Sequence, residues 1–237
     1  MTSVTVQPSK EKRWLMFDRI ATQYDKVNGI MTGGLDRYWR YRLIKYIPKT
    51  ATHLLDLATG TMDVAIAAAK KYSKLQITAM DMSQDMLAIG KSKVADQNLS
   101  ESIQSKSGDA TQLPLETESV DVVTVSFGIR NFNGLDLSIS EMYRVLRPKG
   151  RFIILEATLP ENRILRWGSL LYLRYWIPIV GKLFARNMDA YKYLNQSIET
   201  FPQGDELCQK YRNVGFEDVH YTPLTGGVVQ LIIGDKP

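Results

Sequence analysis

From Thr52 onward the chain alternates short apolar runs with stretches whose apolar residues recur at helical spacing. The runs over 53–57, 76–80, 103–107, 120–127 and 151–155 predict strands, with 103–107 the weakest. Between them, 62–72, 83–95 and 135–146 predict helices, the last stopped by Pro148. Strands alternating with helices of this length imply βαβ units and a parallel sheet covered on both faces. Right-handed crossovers then make a doubly wound, mostly parallel α/β sheet. A helix over 205–214 and strands over 216–221 and 228–233 bring the strand count to seven. The last two, joined through Pro223 and Gly226-Gly227, predict a hairpin with an antiparallel strand at the end of the sheet.

Two regions break this alternation. Between Trp14 and Tyr46 apolar residues fall at mixed helical spacings, interrupted by Asn28-Gly29 and Gly33-Gly34. Two or three short helices forming an arm or lid are expected there, with Pro48 ending the pattern and residues 1–12 frayed. Residues 158–203 form an aromatic and basic helical insertion. The expected organisation is therefore an arm over 1–50, a cofactor-binding core over 51–157, the insertion over 158–203, and a C-terminal helix and strand pair over 204–237.

Composition narrows the classes. At 237 residues, 44% hydrophobic and 23% charged, the chain is ordinary globular material, not a disordered or fibrous one. Cys208 is the single cysteine, which excludes an intrachain disulfide or a cysteine-rich metal centre. With no apolar leader at the N-terminus, a reducing, cytoplasmic setting is expected. The greasiest stretch, 164–185, is interrupted by Arg166, Arg174 and Pro178, so it reads as interfacial or soluble, not spanning. Aromatic and basic residues interleaved over 163–186 suit a membrane headgroup boundary, at the inner face, equally with a helix that packs on the sheet or on a homodimer partner. A net charge of +5 admits nucleic acid, but no binding motif supports it.

In an open sheet of this kind ligands bind beyond the carboxyl ends of the strands. Those ends carry Asp56-Leu57-Ala58-Thr59-Gly60-Thr61-Met62-Asp63, then Asp81-Met82, Gly108-Asp109-Ala110, and Ser126-Phe127-Gly128-Ile129-Arg130-Asn131. Asp81 stands 21 residues beyond Gly60, the spacing of a ribose acceptor. Met62 and Ala65 occupy two glycine positions of a dinucleotide loop, and no P-loop lysine follows. Asp56, Asp63, Asp81 and Asp109 would repel phosphates; they suit a cationic nucleoside with a ribose diol, S-adenosylmethionine. Caps and helix-terminal charges are the plainer account of any one of them. His53 and His220 read as ordinary sheet residues, and no metal-ligand spacing is present.

The chain resembles the class I S-adenosylmethionine-dependent methyltransferases with a Rossmann-like sheet, specifically the quinone-ring C-methyltransferases. The matching stretches are Met16–Ala21 (MFDRIA) with Tyr24-Asp25, DRYWR from Asp36, DLATGT from Asp56, GDATQLPL from Gly108 and SFGIRNF from Ser126. EMYRVLRPKG from Glu141, YKYLNQSIETFP from Tyr191 and LTGGVV from Leu224 complete the set. The resemblance implies that Gly60 and Thr61 lie against the methionine portion of the cofactor. It places Asp81 at the ribose, Asp109 and Ala110 at the adenine edge, and Ser126 beside the methyl donor. Where this group has glycine the chain has Met62, a side chain expected to crowd the cofactor's amino-acid end unless it turns away. The implied substrate is a polyprenyl quinol, with demethylmenaquinol first and the ubiquinone-pathway benzoquinol second. Only the reduced ring is electron-rich enough to take a methyl group on carbon. Arg130 and Asn131 would steady a developing oxyanion, and Tyr24 with Asp25 would close over the ring or relay its proton. Glu156, Tyr191 and Tyr193 are weaker candidates. A protein that kept the fold but lost activity, with Met62 as the lesion, is the rival from another class.

Overall fold

The computed structural model describes residues 14–180 and 188–237. Residues 1–12 and Lys182, Phe184 and Arg186 of the insertion fall outside the described residues.

Seven strands form one sheet: β1 (His53–Leu57), β2 (Gln76–Asp81), β3 (Ile103–Ser107), β4 (Val120–Ser126), β5 (Leu146–Ala157), β6 (Glu217–Leu224) and β7 (Val229–Asp235). Their spatial order is β3-β2-β1-β4-β5-β7-β6. β1 and β4, at the centre, are buried along nearly their whole length because helices cover both faces. On one face α2 (Leu35–Ile44), α3 (Asp63–Lys71) and α4 (Gln84–Asp96) pack Leu43, Ala65 and Leu87 onto Leu54 and Ile77. On the other, α5 (Leu135–Val145) and α9 (Asp205–Val214) bury Ile139, Met142 and Tyr211 against Val123 and Phe152. The rings of Phe152 and Tyr211 stack at 4.1 Å. A smaller cluster of Val27, Leu159, Leu173, Ile177 and Ile198 joins α1 (Trp14–Thr32) to the insertion.

The sequence and the structure differ at three boundaries. Asn28-Gly29 does not interrupt the arm: α1 is continuous to Thr32, whose hydroxyl donates to the Asn28 carbonyl at 2.8 Å. The break comes at Gly33 and Gly34, whose φ of 59° and 80° no helix accommodates. Pro148 does not stop α5, because the fully buried Leu146 already pairs with Val120 as the first residue of β5. A bulge between Val120 and Val122 then absorbs Pro148 and Gly150. The antiparallel strand of the final hairpin is β7, inserted between β5 and β6, so the edge strand is β6.

The insertion is helical where described. Asn162 caps α6 (Arg163–Leu171) by accepting from the Ile164 and Leu165 amides at 3.0 and 3.2 Å. A π-helical turn (Tyr172–Trp176), α7 (Ile177–Val180) and α8 (Met188–Thr200) follow. No helix among the described residues is long and apolar enough to cross a membrane.

The Tyr211 hydroxyl is fully buried and has no hydrogen-bond partner. Tyr211→Phe is therefore expected to raise stability by about 1 kcal/mol in denaturant unfolding, since a stranded buried donor is removed while the Phe152 stack remains.

Candidate active site

The strand order reverses between β1 and β4, where a doubly wound sheet opens its ligand crevice. The two loops leaving these strands come close: a side chain at Gly128 would stand 2.4 Å from the Ala58 Cβ. Ala58 and Phe127, at the two strand ends, have φ of 49° and 58°, a conformation L residues seldom adopt. Non-glycine residues held this way collect at functional sites.

Asp56 lies inside this junction, 1% exposed. Its oxygens accept from the Thr124 and Thr59 hydroxyls, both at 2.6 Å, joining β1 to β4 and to the loop. Burial pushes its carboxyl up from 3.8 to about 6, against the pull of the two hydroxyls. A crevice opens at the tips of β1, β2, β3 and β4, lined among others by Gly60, Asp81, Met82, Asp109, Ala110 and Ser126. Asp81 accepts from the Gly60 amide at 2.8 Å and the Ser83 amide at 2.9 Å; burial nevertheless raises its pKa. Asp109 is also partly desolvated, but the Thr111 amide and hydroxyl and the Asn133 amide outweigh that and hold its pKa below the ordinary value. The Ser126 hydroxyl is buried without a partner.

A second, larger cavity of about 550 Å³ lies beside the crevice. Its walls are mainly apolar and come from α1, α2, the insertion and β7; Asp56 and Thr61 also face it. Tyr24, Ala58, Gly60, Ser126 and Phe127 line both spaces. Tyr24 also faces a third, smaller apolar pocket beneath α1, so it stands where all three meet. Burial raises its pKa, partly offset by a hydrogen bond with Asn28, and keeps the phenol protonated.

Arg130 follows β4 and pairs with the fully buried Glu156 at the end of β5, while its Nη1 donates to the Phe127 carbonyl at 2.9 Å. Its Nε is a buried donor without a partner. Asn131 accepts from the Tyr193 hydroxyl at 3.0 Å. Arg130 and Asn131 both face the pocket beneath α1, and Arg130 reaches the larger cavity too. The Tyr191 side chain falls outside the described residues. His53 bonds Thr52 at 2.9 Å and His220 the Asp218 carbonyl at 2.7 Å, local contacts of sheet residues.

Three expectations change. Asp63 is no free charge beside a ligand: it pairs with Arg40 at 3.1 Å and with Lys93. Asp25 does not reach over a ring, because it accepts from Thr61 at 2.7 Å and from Lys93 at 3.0 Å, pinning α1 to the loop and to α4. Met62 does not crowd the crevice. Its φ of 65° turns the side chain into the core, 1% exposed, over Gly90 of α4. A Cβ at Gly90 would stand 2.6 Å from the Met62 Cγ, so the glycine missing from the loop is matched by one on the helix beneath. Lys93, Asn133 and the α6 wall carried no motif; only their place in the fold reveals them.

A sequence model of the ubiE/COQ5 methyltransferase family matches residues 6–236. The chain belongs to that family. Similar relatives include a demethylmenaquinone methyltransferase of Bacteroides fragilis, 39% identical over 93% of this chain and 91% of its own length. That of Porphyromonas gingivalis is 38% identical, covering 97% and 94%. A ubiquinone/menaquinone biosynthesis C-methyltransferase of Rickettsia typhi is 37% identical, covering 93% and 92%. Among solved structures, phosphoethanolamine N-methyltransferase 2 of Haemonchus contortus, in complex with S-adenosyl-L-methionine, aligns at a TM-score of 0.70 with 16% identity, covering 98% of this chain and 61% of its own. The [4+2]-cyclase SpnF aligns at 0.63 with 16% identity, covering 98% and 97%. By family and fold the ubiE/COQ5 member described here is an S-adenosylmethionine-dependent methyltransferase.

Two expectations follow. Asp56 contributes stability that is fully present below its ordinary 3.8 and is lost as pH rises through about 6. Asp56→Asn should thus gain about 3 kcal/mol over the parent above pH 6, the gain shrinking toward pH 4 in unfolding titrations. Gly90→Ala is expected to cost about 1–3 kcal/mol by overpacking, partly recovered when Met62→Ala is added.

Proposed function

We propose that this methyltransferase places a methyl group on a ring carbon of a polyprenyl quinol, with demethylmenaquinol as its substrate. The observation that carries the reading is the shared wall: a crevice that holds Asp81 and Asp109 at the strand tips and a large, mainly apolar cavity meet across Ser126 and Tyr24. A cavity of about 550 Å³ is the size of a small-molecule site. The Bacteroides and Porphyromonas relatives bear the name demethylmenaquinone methyltransferase, which favours the naphthalene ring. The Rickettsia relatives, named for both pathways, keep the ubiquinone-pathway benzoquinol as the second substrate.

The crevice fits S-adenosylmethionine, which supplies an electrophilic methyl group on a positively charged sulfur. Asp81 is the ribose acceptor, and Asp109, Ala110 and Met82 border the adenine. Gly60, which lines both spaces, holds the amino-acid end with Thr61 beside it on the cavity side, and the buried Asp56 carboxylate favours its positive charge. Burying that carboxylate costs stability, and a cationic ligand offsets the cost. Ser126 offers its unpartnered hydroxyl at the boundary between cofactor and substrate. Among the described residues no group of three or more His, Cys, Asp or Glu side chains is placed to hold a metal ion, and the reading uses none.

Methylation at carbon needs a quinol whose hydroxyl gives up a proton, so the developing oxyanion must be held. Arg130 is suited to this: its charge is fixed by Glu156, and its Nε still has hydrogen-bonding capacity. Asn131, steadied by Tyr193, is its neutral companion. Tyr24, kept protonated by burial, donates a hydrogen bond to the ring and is no phenolate base at neutral pH. The apolar walls exclude water and align the ring carbon with the methyl group.

Outside the cavity, Trp167, Tyr175 and Ile179 are 66%, 66% and 50% exposed, beside the cavity-lining Ile164 and among the exposed Arg163, Arg166 and Arg174. This surface adjoins the cavity wall, which favours peripheral contact with an anionic cytoplasmic membrane face over a dimer contact. The test is mass spectrometry of purified protein with methyl-labelled cofactor and a reduced demethylmenaquinone analogue. One labelled methyl on the ring is expected, and Arg130→Ala should lower turnover by about a hundredfold while calorimetry finds cofactor affinity retained. No methylated quinol despite cofactor binding would overturn the substrate assignment.

A further inference from the structure

Gly168 stands within α6, a helix of nine residues. Glycine is a poor helix former, and one inside a helix calls for a packing or functional reason. Packing supplies none: a Cβ built on Gly168 meets no atom within 4 Å. Gly168 instead lines the large apolar cavity, together with Ile164 one turn before it and Tyr172 one turn after. The three are nevertheless exposed to solvent, so this face of α6 is both cavity wall and molecular surface. It is the mouth. The Tyr172 hydroxyl donates to the Met31 carbonyl, tethering this wall to the end of α1. Tyr24, Ser126 and Arg130 line the same cavity.

We propose that Gly168 is a specificity-determining residue: its missing side chain keeps the mouth open for a long hydrocarbon chain on the substrate, which leaves the molecule between α6 and the end of α1. The inference rests on the quinol reading above. It adds where the isoprenoid tail runs and which residue sets its passage. The chemistry of the wall selects the occupant. Ile164, Leu165, Leu173, Ile177 and Ile198 present branched aliphatic surface to the cavity, and the Asp36, Arg40 and Asp63 charges that also line it are paired with one another. An uncharged, methyl-branched chain matches that surface, and a polar headgroup does not. A tail longer than the cavity must emerge at the α6 mouth, beside the exposed Trp167 and Tyr175.

The experiment compares two reduced demethylated naphthoquinones, one without a tail and one with several isoprene units, on the parent protein and on Gly168→Ala, Gly168→Leu and Gly168→Trp. Gly168→Ala should lower kcat/KM for the tailed quinol least of the three, since the added methyl meets open space. Gly168→Trp should lower kcat/KM for the tailed quinol about tenfold or more, mainly through KM, and leave the tailless one within about twofold. Gly168→Leu should fall between. Cofactor affinity and melting temperature guard against misfolding, and Gly168→Leu serves if the tryptophan variant fails to fold. Equal losses for both quinols, or no loss for either in folded Gly168→Trp or Gly168→Leu protein, would overturn the assignment of Gly168. Failure of the parent protein to methylate either quinol would instead overturn the reading on which it rests.

Discussion

The carboxylate of Asp56, sealed between two threonine hydroxyls where β1 meets β4, organises the whole centre of the molecule. Thr59 belongs to the loop after β1 and Thr124 to β4, so a single side chain ties the two halves of the sheet at the point where their direction of winding changes. The left-handed turn of Ala58, Gly60 and Met62 and the contact of Ala58 with Gly128 build outward from that anchor. A hydrophobic residue of similar volume would be easier to bury.

The order of strands and helices was readable from the alternation of apolar runs because central parallel strands must be apolar along their length and their crossover helices amphipathic. Strand ends were equally readable: Asp81, Asp109, Ala110 and Ser126 line one crevice because every parallel strand delivers its last residues to the same edge. What sequence withheld was pairing. Nothing in the one-dimensional string says that Lys93, twelve residues beyond the end of β2, meets Asp25 and Asp63, or that Gly90 lies beneath Met62. Such facts depend on helix phase and on the crossing of separate elements. For the same reason Asp63 looked like a ligand-facing charge when it is a neutralised one, and Met62 looked like an obstruction when it is core.

Shape alone identifies less than the site does. A cyclase and an N-methyltransferase share this architecture with the present chain at TM-scores of 0.63 and 0.70. The sheet supplies a crevice, and chemistry is set by what is mounted around it. Here those additions are the N-terminal arm, with Tyr24, and the insertion, with its exposed aromatics and an open cavity wall.

The cluster that fastens α1 has a mechanical consequence. Trp14, Phe17 and Tyr24 roof the crevice, and the same helix is held down by Asp18 on Ser83 and by Asp25 on Thr61 and Lys93. This helix covers the crevice, so lifting it away means parting those polar clasps. The Lys93–Asp25 pair is partly exposed, and dissolved salt weakens it where it leaves the Asp56 junction untouched. Ionic strength thereby bears on how firmly the arm is held, set apart from the stability of the sheet.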